Sequence, residues 1–438
     1  MASSRRDPAV RAAVEQGLLT ADEPVVALLD TDGIRASAAA LRDAFAAVAP
    51  DVRFLHAFAV KACPLVPVLR LLHDAGLGAE VASPGELALA RAAGVPAPRT
   101  VLDSPAKTER ELREALTLGI ALNADNHQEL ARLDALVART ARFPRVGLRV
   151  NPQLGAGAIG ALSTAVPTSK FGVALRDPGA RDEIVRAYLD RPWLTRLHVH
   201  SGSQGVPLAL MAEGVAELYA LAEEINAKAG RTQVDTLDIG GGLPVNFASD
   251  EDTPTHAEYA RLLAERVPGL FGGRYALVTE YGRSLLARHG TVLTRVEYAK
   301  TSGGRPVAVT HAGVQLATRT VYAPETYPLR LAAYDAEGRP RTGPDVVQDV
   351  AGPACFAGDL LAAARPLPRL APGDVVAVLD TGAYCFSSHY GYNSLPRPAV
   401  HGFTRTADGL RFTPVRRAQT LAELVAESGG ADPDAPPG

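Results

Sequence analysis

Phe54-Leu-His-Ala-Phe-Ala-Val-Lys61-Ala-Cys-Pro64 is a short apolar run that ends in a lysine and a chain breaker. It reads as a buried β-strand over Phe54–Val60, with Lys61 leaving the strand end. A lysine so placed has two readings. It can snorkel at the strand end, or it can carry an aldehyde cofactor as a Schiff base, because burial lowers its pKa and frees the amine as a nucleophile. The rest of the chain decides between them.

Seven further apolar runs of the same kind lie downstream: Ala79–Ala82, Thr100–Leu102, Ala121–Ala124, Arg145–Val150, Arg196–His200, Thr236–Ile239 and Ala276–Thr279. Amphipathic helical stretches lie between them, among them Leu65–Ala75, Gly85–Ala93, Glu109–Leu118 and His127–Thr140. Eight βα units of this size predict a closed (β/α)8 TIM barrel. Polar and glycine residues gather just after the strands, at Lys61, Ser83, Asn151, His200-Ser-Gly-Ser203, Gly240-Gly-Gly242 and Glu280-Tyr-Gly-Arg283. In a barrel that end is the catalytic face.

After about residue 287 the texture changes to Val/Thr/Tyr-rich runs between Gly and Pro turns, such as Thr291–Tyr298, Pro306–Thr310 and Asp374–Leu379. The expected fold class is therefore α/β plus all-β, a barrel over residues 31–287 with a mostly antiparallel β-sandwich or barrel domain over 288–422. Residues 1–30, with Glu23–Asp30 as a strand, are expected to join the β domain. Residues 423–438 are Pro/Gly/Asp-rich toward their end and are expected to be a disordered tail.

Composition narrows the function. Forty-five basic against 48 acidic residues, spread along the chain, give no footprint of a nucleic-acid binder. No apolar segment approaches the roughly 18 residues that cross a bilayer, and the first ten residues lack a signal-peptide core. Three widely spaced cysteines, Cys63, Cys355 and Cys385, fit a reducing cytoplasm and neither a disulfide framework nor a metal site. The expected partner is a small molecule.

Gly240-Gly-Gly242 lets the backbone approach an anion with its N–H groups forward, and His200-Ser-Gly-Ser203 leaves the preceding strand at a similar level. Two donor loops side by side suggest one phosphate. Glu280, at the end of the last strand, reads either as a rim carboxylate satisfied by Arg283 or as the partner of a pyridine nitrogen, which it would keep protonated. His200 reads either as a buried structural imidazole or as a ring that stacks on a flat cofactor.

The chain resembles the alanine-racemase-like (fold type III) pyridoxal-phosphate decarboxylases, in the branch of diaminopimelate, ornithine and arginine decarboxylases, nearest the diaminopimelate enzymes. The resemblance covers residues 25–402. It rests on Ala59-Val-Lys61-Ala, Glu80-Val-Ala-Ser83-Pro-Gly-Glu86, Ser169-Lys-Phe-Gly172, His198-Val-His-Ser-Gly-Ser-Gln204, Asp238-Ile-Gly-Gly-Gly242, Glu280-Tyr-Gly-Arg283, Gly352-Pro-Ala-Cys355-Phe-Ala-Gly-Asp359, Asp380-Thr-Gly-Ala-Tyr384 and Tyr392-Asn-Ser-Leu-Pro-Arg-Pro398.

The resemblance implies pyridoxal 5'-phosphate as cofactor, with Lys61 as its internal aldimine, His200 on its ring, Glu280 at the pyridine nitrogen and Glu80 as a supporting carboxylate on the ring side. Ser203, Gly241, Gly242, Gly282, Arg283 and Tyr384 take the positions that hold phosphate or substrate carboxylate. Cys355 takes the place of the proton donor, supplied across a homodimer interface to the neighbouring subunit's Lys61, and Asp359 belongs to the same motif at the substrate end. The implied reaction is loss of the α-carboxylate through an external aldimine and a quinonoid. Proton donation by the thiol is worth about 10²–10⁴ in rate.

Three departures fall where substrates are distinguished. Phe356 stands where the diamino-acid decarboxylases carry an acidic residue for the distal ammonium, whose lost partner would cost several kcal/mol, less any cation–π return. Arg319 and Tyr322 lie in a stretch unlike the family's and read either as distal-carboxylate contacts or as a surface loop. Tyr281 replaces a proline and is expected to enlarge and polarise the wall beside Glu280. The expected substrate is thus not an ordinary basic diamino acid but one of a specialised pathway. The alternatives are an orthodox meso-diaminopimelate decarboxylase of lysine biosynthesis and, in another class, a non-catalytic regulator, against which Lys61, Glu280 and Cys355 argue together. A racemase of this fold would need a tyrosine base on the second face.

Overall fold

The structure, a computed structural model, describes residues 3–140 and 143–430. The chain divides into two compact units, Arg35–Asn246 with Glu251–Leu285, and Met1–Ile34 with Phe247–Asp250 and Leu286–Gly438. Strand β1 (Val25–Asp30) belongs to the second of these.

The first unit is a closed parallel barrel. Its eight strands are β2 (Phe54–Ala59), β3 (Gly78–Val81), β4 (Thr100–Asp103), β5 (Ala121–Ala124), β6 (Val146–Asn151), β8 (Leu194–Val199), β9 (Thr236–Asp238) and β10 (Ala276–Thr279), with the two-residue β7 (Val173–Ala174) alongside β6. The ring closes through β5 on β6 and β10 on β2, where Leu277, Val278 and Thr279 pair with Phe54, Leu55 and His56. All eight anticipated strands are present within two residues of their expected ends. The helices between them start where the sequence supplies caps. Ser83 accepts from the Glu86 N–H, Asn126 from Glu129, and Thr108 forms a reciprocal capping box with Glu111.

The second unit is a nine-stranded sheet containing β11 (Gly290–Ser302), β12 (Arg305–Thr310), β13 (Leu331–Tyr334), β14 (Asp345–Ala351), β15 (Leu360–Pro368), β16 (Val375–Leu379), β17 (Ala399–Thr406) and β18 (Gly409–Arg416). The N-terminal strand β1 runs antiparallel to β11 and parallel to β17, so residues from both chain ends build one sheet. Val26, Leu28, Leu293, Val375, Ala377 and Phe403 form its core under the helix Ser3–Glu15.

Two expectations are corrected. Residues 423–427 are not part of a disordered tail but lie in a helix, Leu421–Glu427, because Thr420 and Glu423 form a capping box; the rest of that expectation, from 431 on, lies outside the described residues. Arg319 and Tyr322 sit on a helix, Val314–Tyr322, and not on a loop. Among the described residues no helix is long and apolar enough to cross a membrane.

Candidate active site

The barrel strands aim their polar ends at one mouth. β2 passes into a single 3₁₀ turn, Val60–Ala62, that carries Lys61 out of the strand. Lys61 Nζ donates to Glu80 Oε2 at 2.7 Å; Glu80 is completely buried on β3, and its other oxygen, Oε1, has no hydrogen-bond partner. Burial pushes the Glu80 carboxyl up, against the pull of Lys61.

Glu280 follows β10 and is also buried. Its carboxyl is raised well above the ordinary range, first by burial and then by the charges of Asp103 and Glu80. Oε2 lies 3.4 Å from His198 Nε2, while Oε1 is buried without a partner. His200 accepts the Gly241 N–H at Nδ1, 3.1 Å away, and burial together with Arg149 and Lys61 keeps its ring neutral.

The two anticipated anion loops meet. A Cβ on Gly242, whose φ is +99°, would lie 1.9 Å from the Gly202 carbonyl oxygen, and one on Gly241 would lie 2.0 Å from that of Glu280. Only glycine permits backbone to approach backbone this closely. Ser203 sits at the same junction, its N–H bonded to Leu162 O. Gly282 brings the turn after β10 against Ala59 and Ala62, and Arg283, 6% exposed, opens the next helix.

Tyr281 does not form a polar wall beside Glu280 as anticipated. Its side chain is 1% exposed and packs edge-on to His256 at 4.8 Å and near Phe45, between the barrel and its surrounding helices, because successive residues at a strand end point to opposite faces.

The sequence reading missed the layer beneath. Asp103, Arg149, His198 and Asp238 are all buried inside the barrel, where this fold ordinarily packs Val, Ile and Leu. Arg149 Nη1 donates to Asp103 Oδ2 at 3.1 Å, and Asn123 Nδ2 to Asp238 Oδ2 at 3.3 Å. Asp238 is pushed up to about 7, by burial and by Glu280. The signal was available: His198 and Arg196 stand two and four residues before His200 and so share its face of the strand. At the other end of the barrel a cavity of about 300 Å³ opens among Arg53, Arg145, Arg196, Asp235 and Leu277. It holds none of the expected site residues.

In the second unit Cys355 is exposed, its N–H donating to Asn393 Oδ1 at 2.7 Å and its carbonyl accepting from Tyr392 Oη at 3.3 Å. Phe356 stacks on Tyr322 at 5.8 Å and meets Tyr392 edge-on at 5.9 Å; Tyr390 joins both tyrosines, closing a ring of four aromatics. The Arg319 guanidinium lies 4.5 Å over the Tyr384 ring. Asp359, expected at the substrate end, is 3% exposed with both oxygens occupied, Oδ1 by the Val314 N–H and Oδ2 by the Ala354 N–H. It braces the cysteine loop and has no oxygen turned outward to a ligand.

A (β/α)8 barrel that gathers a lysine, buried carboxylates, a neutral histidine and two apposed glycine loops at the C-terminal ends of its strands has the layout of a barrel enzyme's catalytic face, with donors and acceptors suited to a phosphorylated, nitrogen-containing ring. Glu280 Oε1 and Glu80 Oε1, buried acceptors without donors, fit such a group. The family described as "Pyridoxal-dependent decarboxylase, pyridoxal binding domain" matches residues 32–287, more than half of the chain. The chain belongs to the pyridoxal-dependent decarboxylases.

Among its relatives, the diaminopimelate decarboxylase of Pseudomonas aeruginosa is 34% identical over 390 residues, covering 87% of this chain and 88% of that protein. That of Aquifex aeolicus is 31% identical over 358 residues, 82% of each chain. The crystal structure of diaminopimelate decarboxylase from Helicobacter pylori complexed with L-lysine superposes with a TM-score of 0.81 at 25% identity, covering 95% of this chain and 99% of that one. The enzyme is thus a pyridoxal-phosphate-dependent carboxy-lyase.

Proposed function

We propose that this chain removes the α-carboxylate of meso-diaminopimelate, with Lys61 as the cofactor lysine. The observation that carries the site reading is the Lys61–Glu80 contact beside the partnerless Glu280 Oε1; the substrate follows the relatives' names. In this reading Lys61 supplies the amine for the cofactor aldehyde and the loops Ser201–Ser203 and Gly240–Gly242 take the phosphate. The neutral His200 ring would hold the cofactor ring and Glu280 its nitrogen. Bound pyridoxal phosphate supplies the electron sink that receives the bonding pair of the departing carboxylate.

The chain's own groups do the rest. Glu80 orients the Lys61 amine, and the apposed loops offer backbone N–H groups in a fixed cradle. Cys355, exposed and with its backbone held by Asn393 and Tyr392, is the proton donor, working in a second copy's site within a homodimer. Burial of the polar groups excludes competing water from them. Three widely spaced cysteines support a cytoplasmic setting.

One observation favours a second reading of the substrate. Phe356 lies in a ring of aromatic side chains, with no carboxylate among them for a distal ammonium, which favours an amino acid whose far end is neutral or apolar. Steady-state kinetics over a panel of amino acids separates the two. The highest kcat/KM on meso-diaminopimelate supports the first. A preference of tenfold or more for a less cationic amino acid, reversed by Phe356→Glu, supports the second and overturns the first.

A further inference from the structure

Asp103 at the end of β4, His198 on β8 and Glu280 after β10 each present an atom within 4.8 Å of the others, and all three are buried. His198 Nε2 lies 3.4 Å from Glu280 Oε2, and Nδ1 lies 3.6 Å from Asp103 Oδ2. Neither ring nitrogen makes a hydrogen bond, so these two carboxyl groups are the polar atoms that face them. Arg149 anchors Asp103 from the far side at 3.1 Å. The imidazole is therefore a bridge between two carboxyl groups, one fixed by an arginine and the other at the mouth of the site.

We propose that Asp103 and His198 are positioning residues for Glu280: the Asp103 carboxylate, facing Nδ1 at 3.6 Å, keeps the imidazole's own proton on that nitrogen, which leaves Nε2 toward Glu280 and holds one shared proton at the Nε2–Oε2 contact. This rests on Glu280 being the residue that meets the cofactor nitrogen. The charges around the ring are consistent with it. Asp103 and Asp238 from β4 and β9, Glu80 from β3 and Arg149 from β6 face His198, the carboxyl groups favouring its proton and the guanidinium opposing it, with Arg196 and His200 two residues away on either side in the chain.

Proton counting then fixes the arrangement. Against its own burial, Asp103 is held below the usual carboxylate range by His198, Arg149, Lys107 and Lys61, so it stays ionised. Burial lowers His198 and raises Glu280, which favours the proton of the Nε2–Oε2 contact on the Glu280 side. An ionised aspartate, a neutral imidazole with its proton on Nδ1 and a carboxyl whose proton faces Nε2 agree with the direction in which each group is shifted. Glu280 thereby carries a proton that it can share with a basic nitrogen bound against it, and Asp103 fixes the tautomer that keeps it there.

The test is a pH titration of the visible absorbance of the holoenzyme and of its Asp103→Asn, Asp103→Glu and His198→Gln variants, with kcat and KM measured on the same samples. Removing the Asp103 charge lowers the affinity of the Glu280–His198 pair for its proton. The midpoint of the titration should therefore fall by about one to two pH units in Asp103→Asn, a shift expected of charges this close. kcat should fall at least tenfold with KM little changed, and Asp103→Glu should restore the midpoint. An unmoved midpoint in both Asp103→Asn and His198→Gln overturns the proposal, whatever happens to kcat; should Asp103→Asn fail to fold, His198→Gln decides alone. Lys61→Ala keeps the two questions apart. A visible band that survives in that variant defeats the cofactor reading itself, whereas its loss leaves the Asp103 result to stand or fall by itself.

Discussion

Lys61 and Glu80 form an unequal pair: the carboxylate is fully buried, the ammonium that bonds to it at 2.7 Å is 43% exposed. The buried partner fixes direction while the amine remains within reach of a ligand. Glu80→Gln keeps the shape and removes the charge. It should lower kcat/KM by about 10²-fold through misplacement of the amine, while thermal melts stay within ~1 kcal/mol of the parent, since a half-exposed lysine regains water. An unchanged kcat/KM would show that Glu80 does not orient Lys61.

The apposition of Gly242 and Gly202 is the most demanding contact in the anion cradle. Gly242→Ala places a methyl where the Gly202 carbonyl oxygen stands and forces a side chain into φ +99°. The strain, about 1–3 kcal/mol, can be relieved only by separating the two loops. Equilibrium dialysis should show pyridoxal phosphate bound at least tenfold more weakly, with the barrel still folded by circular dichroism. Undiminished affinity would mean that the phosphate lies elsewhere.

Asp359→Asn tests the bracing of the cysteine loop. An amide offers one acceptor where two backbone N–H groups, of Val314 and Ala354, need two. One buried donor is left unsatisfied, at a cost of about 1–3 kcal/mol. Chemical denaturation should report that loss, and kcat should fall with it because Cys355 is next in the chain to Ala354.

The barrel's buried acids give it a pH dependence of definite sign. Asp238 titrates at about 7 in the folded state against 3.8 as a free side chain. The folded chain therefore holds a proton that the unfolded chain has already released. Its stabilising contribution is complete below pH 4 and is lost as pH rises toward 7, so this group lowers stability across that interval. A few kcal/mol are at stake. Melting temperatures of the parent between pH 5 and pH 8 should fall more steeply than those of Asp238→Asn; parallel curves would contradict the assignment.

The eight strands were legible because each is a short apolar run closed by a polar or glycine residue, and strands buried on both faces need no alternation to be recognised. The same uniform burial hid Asp103, Arg149 and Asp238, because polar residues in such runs read as strand ends and not as an inner layer. Lys61, Glu280, His200 and the glycine loops were legible as chemistry at strand ends. The helix Val314–Tyr322 was not, since Thr318, Thr320 and Val321 favour strands. It is held by a tertiary bond, Thr318 Oγ1 donating to Ser388 O, and by a local one at its start, Gln315 Nε2 donating to His311 O. The helix Leu421–Glu427 could have been read from Thr420 and Glu423, whose spacing marks a capping box.

The central claim, that Lys61 is the residue that binds the cofactor, is tested most directly by borohydride reduction of the holoenzyme followed by peptide mass mapping. A pyridoxyl-phosphate mass on the peptide containing Lys61, absent from Lys61→Ala, is the expected result. The same mass on a peptide bearing another lysine, such as Lys107, or no labelled peptide from a protein that shows a visible absorbance band, would contradict the account.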